Sequence, residues 1–507
     1  MFAGTPVRTA NGLVEGKTSA NGKVRIFEGV PFAAPPVGDL RWKEPQPAAN
    51  WDGVRKVTDF GPRCMQANIY GDMVFRDKGP SEDCLYLNVW TPAADAKAKL
   101  PVMVWIYGGG FAAGASSEPR QDGEHLAERG VVVVSLNYRL GVFGFLAHPE
   151  LAKESGHHAA GNYGLMDQAA ALGWVQKNIA AFGGDPAEVT IFGESAGSFS
   201  VCAQMASPLT TGLFERAIGE SGAFFGTTLE TGSLQKTEEA GVKFGESIGS
   251  GSLSALRAKS AGELLKAAGR EHEPRFQPNI DGYFLPEDVY SIYAAGKQRG
   301  IPLLAGWNAD EGSYRSFLKG AQPTVQNYLA RLHELFGDKA DAMFKLYPAA
   351  TDEQVKRSAQ DLAGDQFIGY STWKWIEMQS ARGGAPVYHY RFEDAPPIGA
   401  DEKDSEAAKW RGAKHSAEIE FVFEDLASKH LPWRARDRKL SEEMATYWTN
   451  FAKTGSPNGN GLPSWPAYRK QDGYQVMHLA PEPHAAADTQ RARYELLDSM
   501  TYGPVSK

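Results

Sequence analysis

The feature that most constrains the fold of this chain is a serine between two glycines, in the sequence Gly193-Glu194-Ser195-Ala196-Gly197. A short apolar run at 189–192 precedes it, and residues 196–205 favour a helix. Such a serine between a strand and a helix is typical of a sharp turn that exposes the hydroxyl, because a Cβ at either glycine would collide with neighbouring backbone. The pattern predicts that Ser195 is a nucleophile. An ordinary glycine-rich turn is the alternative.

Further apolar runs predict the remaining strands of a doubly wound sheet. The runs at 102–107 and 131–137 are apolar on both faces, as are central parallel strands that helices cover on each side. Apolar residues at helical spacing over 165–179 predict a helix between the second run and 189–192. This alternation predicts an α/β fold with a central, mostly parallel twisted sheet and helices on both faces. The other strands are expected at 24–27, 85–90, 301–306 and 387–392.

Two long stretches of mixed composition predict helical insertions in a single core. Residues 233–275 are rich in Ala, Glu, Lys, Gly and Ser, and residues 322–382 have a helical pattern. The sequence contains no internal repeat and no low-complexity linker. We therefore expect one domain over 1–507, with core segments at about 7–222, 276–312 and 383–480 and insertions at about 223–275 and 313–382.

Charge and cysteine content restrict the partners and the compartment. The 53 Lys and Arg residues against 61 Asp and Glu residues give a net charge of −8, which offers no reason to expect nucleic acid or an anionic membrane. No apolar run is long enough to span a membrane.

The first residues lack the pattern of a signal peptide, so the protein is either cytoplasmic or has had its signal peptide replaced. Two cysteines in a loop-like stretch, Cys64 and Cys84, and one in a helix, Cys202, fit one disulfide in an oxidising compartment; unpaired cysteines in a cytosolic protein are the alternative.

A run of three glycines, Tyr107-Gly108-Gly109-Gly110-Phe111, follows one of the central strands. Glycines at this place let backbone N–H groups point into a site, where they stabilise a developing negative charge on oxygen. Beside the serine turn, the pattern predicts an oxyanion-binding loop. We expect the N–H groups of Gly109, Gly110 and Ala196 to be its donors, with a flexible glycine turn as the alternative.

Two longer stretches resemble the signatures of the type-B carboxylesterase/lipase family. Residues 182–197 (FGGDPAEVTIFGESAG) resemble its serine signature, and residues 82–90 (EDCLYLNVW) resemble its second signature. Further similar stretches extend the resemblance from about residue 7 to about residue 480. The family includes bacterial para-nitrobenzyl esterases and, more distantly, cholinesterases. The resemblance implies an α/β-hydrolase with helical insertions over the active site, which cleaves carboxylic esters through an acyl-enzyme and needs neither a metal nor another cofactor.

The resemblance also implies which acid and which histidine act with Ser195. The family uses the glutamate of an Asp-Glu-Gly turn, which here is Glu311. Its position just past a strand would suit Asp310 nearly as well. The family's histidine lies in a Gly-x-x-His-x-x-Glu stretch, which makes it His415. The chain order of serine, acid and histidine is the one expected of α/β-hydrolases.

The resemblance implies supporting roles for four further residues. Glu194 would tune the field of the site and hold a water molecule, and Ser221 would support the acid; a purely structural hydrogen bond is the alternative for each. The family pairs its early cysteines across a loop, which implies a disulfide between Cys64 and Cys84 and export to the periplasm or the medium. The expected partner is a small-molecule ester, and the expected state is a monomer or weak dimer.

The sequence also restricts the ester. Val74 stands where choline esterases carry a cation-binding tryptophan, so we expect no choline ester. The charged character of the insertions favours soluble short- to medium-chain or bulky esters over long-chain lipids. The alternatives are a specialised esterase for a bulky natural or xenobiotic polyester, a lipase, an amide or carbamate hydrolase, and a non-catalytic adhesion-type relative. The aromatic residues expected in the substrate pocket are Phe111, Phe224, Phe276 and Trp307.

Overall fold

The apolar runs of the sequence form one large sheet in the structure, a computed structural model that describes residues 5–226, 228–229, 231–399 and 410–503. Residues 400–409 of the predicted core and residues 227 and 230 of the first predicted insertion lie outside the described residues. In chain order the strands of the sheet are β1 (Lys17–Thr18), β2 (Arg25–Pro31), β3 (Tyr86–Thr91), β4 (Leu100–Ile106), β5 (Val132–Leu136), β6 (Gly184–Glu194), β7 (Arg216–Glu220), β8 (Leu303–Asn308), β9 (Val387–Phe392), β10 (Gln475–Leu479) and β11 (His484–Ala487).

The order of these eleven strands across the sheet is β11-β10-β9-β8-β7-β6-β4-β5-β3-β2-β1. β4 pairs in parallel with β5 and β6, and β9 pairs in parallel with β8 and β10. β1, β2, β3 and β5 pair successively as antiparallel neighbours, and so do β10 and β11. Every residue of β5 is buried, as expected of a strand that is covered on both faces. The predicted α/β fold with a mostly parallel central sheet is confirmed.

The chain divides into two compact units. β1 to β6 belong to unit 1 and β8 to β11 to unit 2, and the change from one to the other falls within β7. The single domain expected from the sequence stays a prediction. Unit 1 consists of Met1–Ile218, Thr231–Ile301 and Trp448–Ser456, and unit 2 of Gly219–Glu230, Pro302–Tyr447 and Pro457–Lys507.

Helices occupy both stretches in which insertions are predicted. Among the described residues, none of the helices has the length and the apolar character that crossing a membrane requires. The first insertion contains Leu234–Ser247, Leu253–Ala258 and Ala261–Ala268, and the second contains Tyr314–Phe317, Val325–Phe336, Ala340–Leu346, Asp352–Gly364 and Tyr370–Arg382. The other helices are Glu124–Glu128, Gly141–Phe145, Pro149–Glu154, Tyr163–Asn178, Ala196–Ala206, Val289–Ala294, Ile419–Val422, Ala435–Thr454 and Arg491–Thr501.

The helices of the first insertion pack through their apolar faces against the rest of unit 1. Phe244, Leu256 and Leu264 are fully buried, one from each helix. They share a hydrophobic cluster with Trp42 and Phe143, which lie in the core segment before the serine turn. The polar residues of these helices face solvent, so the mixed composition of this stretch is that of a layer covering the core.

We expect Phe244→Ala to loosen this layer. Removal of a fully buried phenylalanine side chain costs about 3–5 kcal/mol, because contacts are lost and a cavity remains. Amide hydrogen exchange should therefore accelerate in the helix Leu234–Ser247. Leu335→Ala, at an exposed position of the helix Val325–Phe336, is the control and should leave exchange near that of the wild type. Equal exchange in the two variants would contradict the packing of Phe244 in this cluster.

Candidate active site

Ser195 lies at the sharp turn that the sequence predicts. β6 ends at Glu194, and the helix Ala196–Ala206 begins at the next residue but one. The φ angle of Ser195 is +54°, in the left-handed region that residues with a side chain rarely adopt. Such a strained conformation persists only where the surrounding structure enforces it, and it is found most often at functional sites.

The neighbouring glycines permit this turn because the end of β4 lies against it. A Cβ on Gly197 would lie 1.9 Å from the carbonyl oxygen of Ile106, and a Cβ on Gly193 would lie 2.5 Å from the same oxygen. A Cβ on Gly108 would lie 2.5 Å from the carbonyl oxygen of Glu194 and 2.7 Å from its Oε2. The space around Ser195 is therefore closed to any side chain at these three glycines.

The glycine loop after β4 presents backbone donors. Gly109 has a φ angle of +113° and Gly110 of +63°, both in the region that favours glycine. Among the described residues, the N–H groups of Gly109, Gly110 and Ala196 donate no hydrogen bond. The N–H group of Ala196 is also at the positive end of its helix. These three groups have the chemistry of an anion-binding site within unit 1.

A histidine bound to a carboxylate forms the corresponding group in unit 2. His415 Nδ1 lies 2.6 Å from Glu311 Oε2, and the glutamate side chain is 1% exposed against 27% for the histidine. The second carboxylate oxygen accepts hydrogen bonds from the backbone N–H of Asn308, at 2.9 Å, and from the Ser221 hydroxyl, at 2.6 Å. Both oxygens of Glu311 are thus engaged, so the imidazole has one orientation relative to the end of β8.

Asp310, the neighbouring acid, has a different function in the structure. Its Oδ2 accepts a hydrogen bond from the N–H of Ala413, and its Oδ1 accepts one from Arg357 at 2.8 Å. A Cβ on Gly412, whose φ angle is +54°, would lie 2.0 Å from Oδ2. Asp310 therefore anchors the backbone that carries His415, whereas Glu311 contacts the imidazole itself.

Two residues of this network had no role in the sequence-based prediction. The Asn308 side chain donates hydrogen bonds to Glu418 Oε2 at 2.5 Å and to the carbonyl oxygen of Lys414 at 2.8 Å. Glu418 is fully buried, and its other oxygen lies 3.4 Å from the Ser221 hydroxyl. The sequence offered one signal for each of these residues. Asn308 is a polar residue at the end of an apolar strand, and Glu418 lies three residues after His415.

A cavity of about 560 Å³ lies in unit 2, with Glu311 and His415 in its wall. Its aromatic lining residues are Tyr314, Phe367 and Trp410. The ring centroid of Phe367 is 5.2 Å from that of His415, and Phe367 is 41% exposed, which is unusual for so large an apolar side chain. The cavity therefore offers an apolar surface beside the imidazole.

The four aromatic residues expected in the substrate pocket are not among the residues that line the cavity in unit 2. Phe111 is fully buried with its ring 5.3 Å from that of Phe145. Phe276 packs at 5.1 Å against Phe244 in the hydrophobic cluster. Phe224 and Trp307 are 7% and 3% exposed. Their assignment to the substrate pocket stays a prediction.

The disulfide between Cys64 and Cys84 is confirmed. The loop that it closes lies over the glycine loop, since the Met73 side chain and the Tyr70 hydroxyl would each be within 3.2 Å of a Cβ on Gly109 and Gly110, respectively. Burial raises the pKa of Tyr70, so the phenol stays protonated and keeps its hydrogen. Val74 is 63% exposed in the same loop.

Among the described residues, His389 is the most strongly buried histidine, and it belongs to the packing of β9. It is 2% exposed, and neither ring nitrogen has a hydrogen-bond partner among the described residues. Its ring is 4.7 Å from that of Trp307. Burial, with a smaller contribution from nearby Arg391, lowers the pKa of His389 to about 3.

A strained serine at a strand–helix turn, a glycine loop with available N–H donors and a carboxylate-bound histidine after a later strand are the parts of an α/β-hydrolase. The chain belongs to the carboxylesterase family, because the family model described as "Carboxylesterase family" matches residues 3–497. It is accordingly an enzyme that hydrolyses carboxylic esters.

Individual relatives agree with this membership. The chain is 41% identical over 483 residues to a protein named "Fumonisin B1 esterase" from Sphingopyxis macrogoltabida, covering 91% of this chain and 84% of that protein. It is 39% identical to the "Para-nitrobenzyl esterase" of Bacillus subtilis (strain 168), covering 92% of this chain and 93% of that one. The crystal structure of a Geobacillus stearothermophilus carboxylesterase at pH 6.2 has a TM-score of 0.81 with this chain at 34% identity, covering 96% of this chain and 99% of the other.

We expect His389 to make unit 2 sensitive to acid. The unfolded chain binds a proton at this residue below a pKa of about 6.5, whereas the folded chain does so only below about 3. The contribution of the neutral His389 to the free energy of unfolding is therefore fully present above about pH 6.5, and it is lost as the pH falls towards about 3. In His389→Phe, the loss of unfolding free energy between pH 7 and pH 4 should be smaller by about 3 kcal/mol.

Urea unfolding followed by tryptophan fluorescence at the two pH values measures this difference. His430→Phe, which replaces an exposed histidine of the same unit, is the control and should keep the acid sensitivity of the wild type. Equal sensitivity in His389→Phe and the wild type would show that His389 is protonated in the folded chain.

Proposed function

We propose that Ser195, His415 and Glu311 form the catalytic triad of this esterase and that the N–H groups of Gly109, Gly110 and Ala196 form its oxyanion hole. The observation that carries the proposal is the 2.6 Å contact between His415 Nδ1 and Glu311 Oε2. It leaves Nε2 as the imidazole nitrogen for proton transfer, as in other serine hydrolases.

The reaction then has two halves. His415 Nε2 accepts the Ser195 proton while Oγ bonds to the ester carbon, and the carbonyl electron pair moves to the oxygen in the oxyanion hole. Collapse of this intermediate breaks the bond to the alcohol oxygen, which takes the proton from His415. Water repeats the sequence on the acyl-enzyme and releases the acid. Glu311 holds the imidazole and stabilises its charged form throughout.

Soluble short- to medium-chain or bulky esters are the proposed substrates. The relatives' names refer to esters as different as fumonisin B1 and para-nitrobenzyl esters, so membership in the family does not by itself define the acyl or alcohol part. A specialised esterase for a bulky polyester is the second candidate, and similarity to a Sphingopyxis protein that is named for one particular ester supports specialisation. The wide cavity in unit 2 is compatible with both.

An oxidising compartment, the periplasm or the medium, is the proposed location. The disulfide between Cys64 and Cys84 supports it, because cytosolic thiols are kept reduced. A monomer or weak dimer is the proposed state, because the triad and the oxyanion donors all come from one chain.

We expect Ser195→Ala to lower kcat/KM for p-nitrophenyl acetate and butyrate by at least about 10³-fold, since loss of a nucleophile leaves only binding and oxyanion stabilisation. Ser207→Ala, at the end of the helix that follows Ser195, is the control and should retain activity. Among p-nitrophenyl acetate, butyrate and palmitate, the wild type should be least active on the palmitate. A folded wild-type protein that is inert on all three esters would favour a non-catalytic role, and a preference for palmitate would favour a lipase.

The two neighbouring acids should differ in their contribution to catalysis. Glu311→Gln removes the charge that stabilises the imidazolium, and we expect a loss of about 10³–10⁴-fold in kcat. Asp310→Asn keeps an oxygen that can accept the hydrogen bond from Ala413, so we expect a loss of less than about tenfold. Steady-state kinetics on p-nitrophenyl butyrate measures both. A larger loss in Asp310→Asn than in Glu311→Gln would make Asp310 the acid of the triad.

A further inference from the structure

The hydroxyl group of Tyr70 borders the glycine loop of the proposed oxyanion hole. It lies 3.1 Å from the position of a Cβ on Gly110. Among the described residues, no other atom outside Gly110 and its chain neighbours is within 4 Å of that position. The space beside Gly110 is therefore open, with a phenol oxygen at its edge. Because the Cα and N of a residue are about 1.5 Å apart, an oxygen bound at the Gly110 N–H comes close to this phenol.

The Tyr70 hydroxyl is available as a hydrogen-bond donor. It makes no hydrogen bond to any residue that the structure describes, and the side chain is exposed to solvent. Partial burial raises the pKa of Tyr70, and the negative charges of Glu194 and Asp72 act in the same direction. The charge of Arg275 opposes this rise in the pKa without cancelling it. The phenol therefore keeps its hydrogen at neutral pH and can donate it to an acceptor in a hydrogen bond.

The same hydroxyl is close to the serine turn. The charge of Glu194 acts on the phenol, and Glu194 directly precedes Ser195 in the chain. A Cβ on Gly108, the first glycine of the loop, would lie 2.7 Å from Glu194 Oε2 and 3.0 Å from Ser195 Cβ. The phenol, the nucleophile and the glycine loop thus belong to one region of unit 1.

The segment that carries Tyr70 is fixed to the glycine loop at its first end. The Gln66 side chain accepts a hydrogen bond from the N–H of Gly114 at 2.9 Å and donates one to the carbonyl oxygen of Gly114 at 2.7 Å. Gln66 is buried, and hydrogen bonds away from water are electrostatically stronger than exposed ones. Gly114 lies four residues after Gly110, so this pair of bonds holds the two loops together near the oxyanion donors.

A buried carboxylate fixes the same segment at its other end. The side chain of Asp77 is fully buried, accepts a hydrogen bond from the Ser117 hydroxyl at 2.5 Å and lies 2.6 Å from the guanidinium of Arg63. It also accepts the backbone N–H of Gly79 at 2.8 Å. Tyr70 therefore lies between two anchored points. A donor that is held in place before the substrate binds needs little reorganisation when charge develops on the substrate.

From these observations we infer that Tyr70 is a further catalytic residue, whose phenol O–H donates a hydrogen bond to the carbonyl oxygen of the ester beside Gly110. The inference rests on the proposed function, since it takes the Gly110 N–H as an oxyanion donor. No bond of the phenol breaks, because its proton stays on Tyr70 while the carbonyl electron pair moves to the oxygen and back. The hydrogen bond strengthens as the oxygen becomes negative, so it stabilises the transition state more than the bound ester.

Tyr70→Phe tests the inference, because it removes the hydroxyl and keeps the ring. We expect kcat on p-nitrophenyl butyrate to fall by about tenfold or more and KM to change by less than about twofold, since the lost interaction belongs to the transition state. The control is Tyr283→Phe, the same change in unit 1 at a tyrosine whose ring stacks on that of His157 at 3.7 Å. It should keep the kinetics of the wild type. Thermal unfolding shows whether both variants are folded.

Inhibition by a trifluoromethyl ketone gives a second measurement. Ser195 Oγ adds to the ketone carbon, the serine proton passes to His415 and the carbonyl electron pair moves to the oxygen, so the adduct carries the charge of the transition state. We expect the inhibition constant of Tyr70→Phe to rise by about the factor by which its kcat/KM falls. A tyrosine that served only the packing of its loop would not change these two quantities by one factor.

The outcomes separate this inference from the proposed function. Hydrolysis that depends on Ser195 but keeps the wild-type kcat in Tyr70→Phe, or changes in KM alone, overturns the inference and leaves the triad in place. An equal loss of kcat in Tyr283→Phe also overturns it, because the effect would not belong to the position of Tyr70. If Ser195→Ala hydrolyses p-nitrophenyl butyrate as fast as the wild type, the proposed function is overturned and the inference falls with it.

Discussion

The orientation of His415 in unit 2 depends on the carboxylate of Glu311. This carboxylate accepts hydrogen bonds from the backbone N–H of Asn308 and from the hydroxyl of Ser221, and it contacts the imidazole of His415. Through these contacts Glu311, which follows the end of β8, determines the direction of the His415 imidazole, although the two residues are 104 positions apart in the chain. A carboxylate with both oxygens engaged cannot rotate without losing several hydrogen bonds, so the histidine stays oriented without a ligand.

In unit 1, the serine turn is made rigid by close packing that leaves no room for a side chain at its glycines. The carbonyl oxygen of Ile106 lies so close to Gly193 and Gly197 that the turn can be built only from residues without a Cβ. The strain at Ser195 is maintained by this contact between β4 and the turn. Hydrogen bonds orient His415 in one unit, and steric constraint orients Ser195 in the other.

Much of this arrangement was predictable, and the exceptions have physical reasons. The serine turn and the central strands are local patterns, and the observed bounds agree with the predicted ones to within a few residues; β6 begins earlier, at Gly184, because an irregular register precedes Val189. β1, β7, β10 and β11 were not predicted, since sequences such as Arg-Ala-Ile-Gly-Glu lack a strand-like pattern and become strands only through their neighbours.

The site shows the same limit of local information. Asp310 and Glu311 both lie just past the end of a strand, so only the resemblance to a family distinguished them in the sequence. In the structure, Asp310 anchors the backbone near His415, whereas Glu311 contacts its imidazole. The cationic lining of the cavity was not predicted, because Arg315 and Arg411 are distant in sequence and come together only in the fold.

The closed space around the serine turn also affects how such an enzyme can evolve. Any point mutation in the codons of Gly108, Gly193 or Gly197 that introduces a side chain meets backbone atoms at 2.5 Å or less. Arg315, by contrast, is exposed, so its codon can drift without steric conflict. A lineage of such proteins therefore has accessible mutational paths through the wall of the cavity and none at the three glycines of the turn, so the turn stays constant while the wall changes.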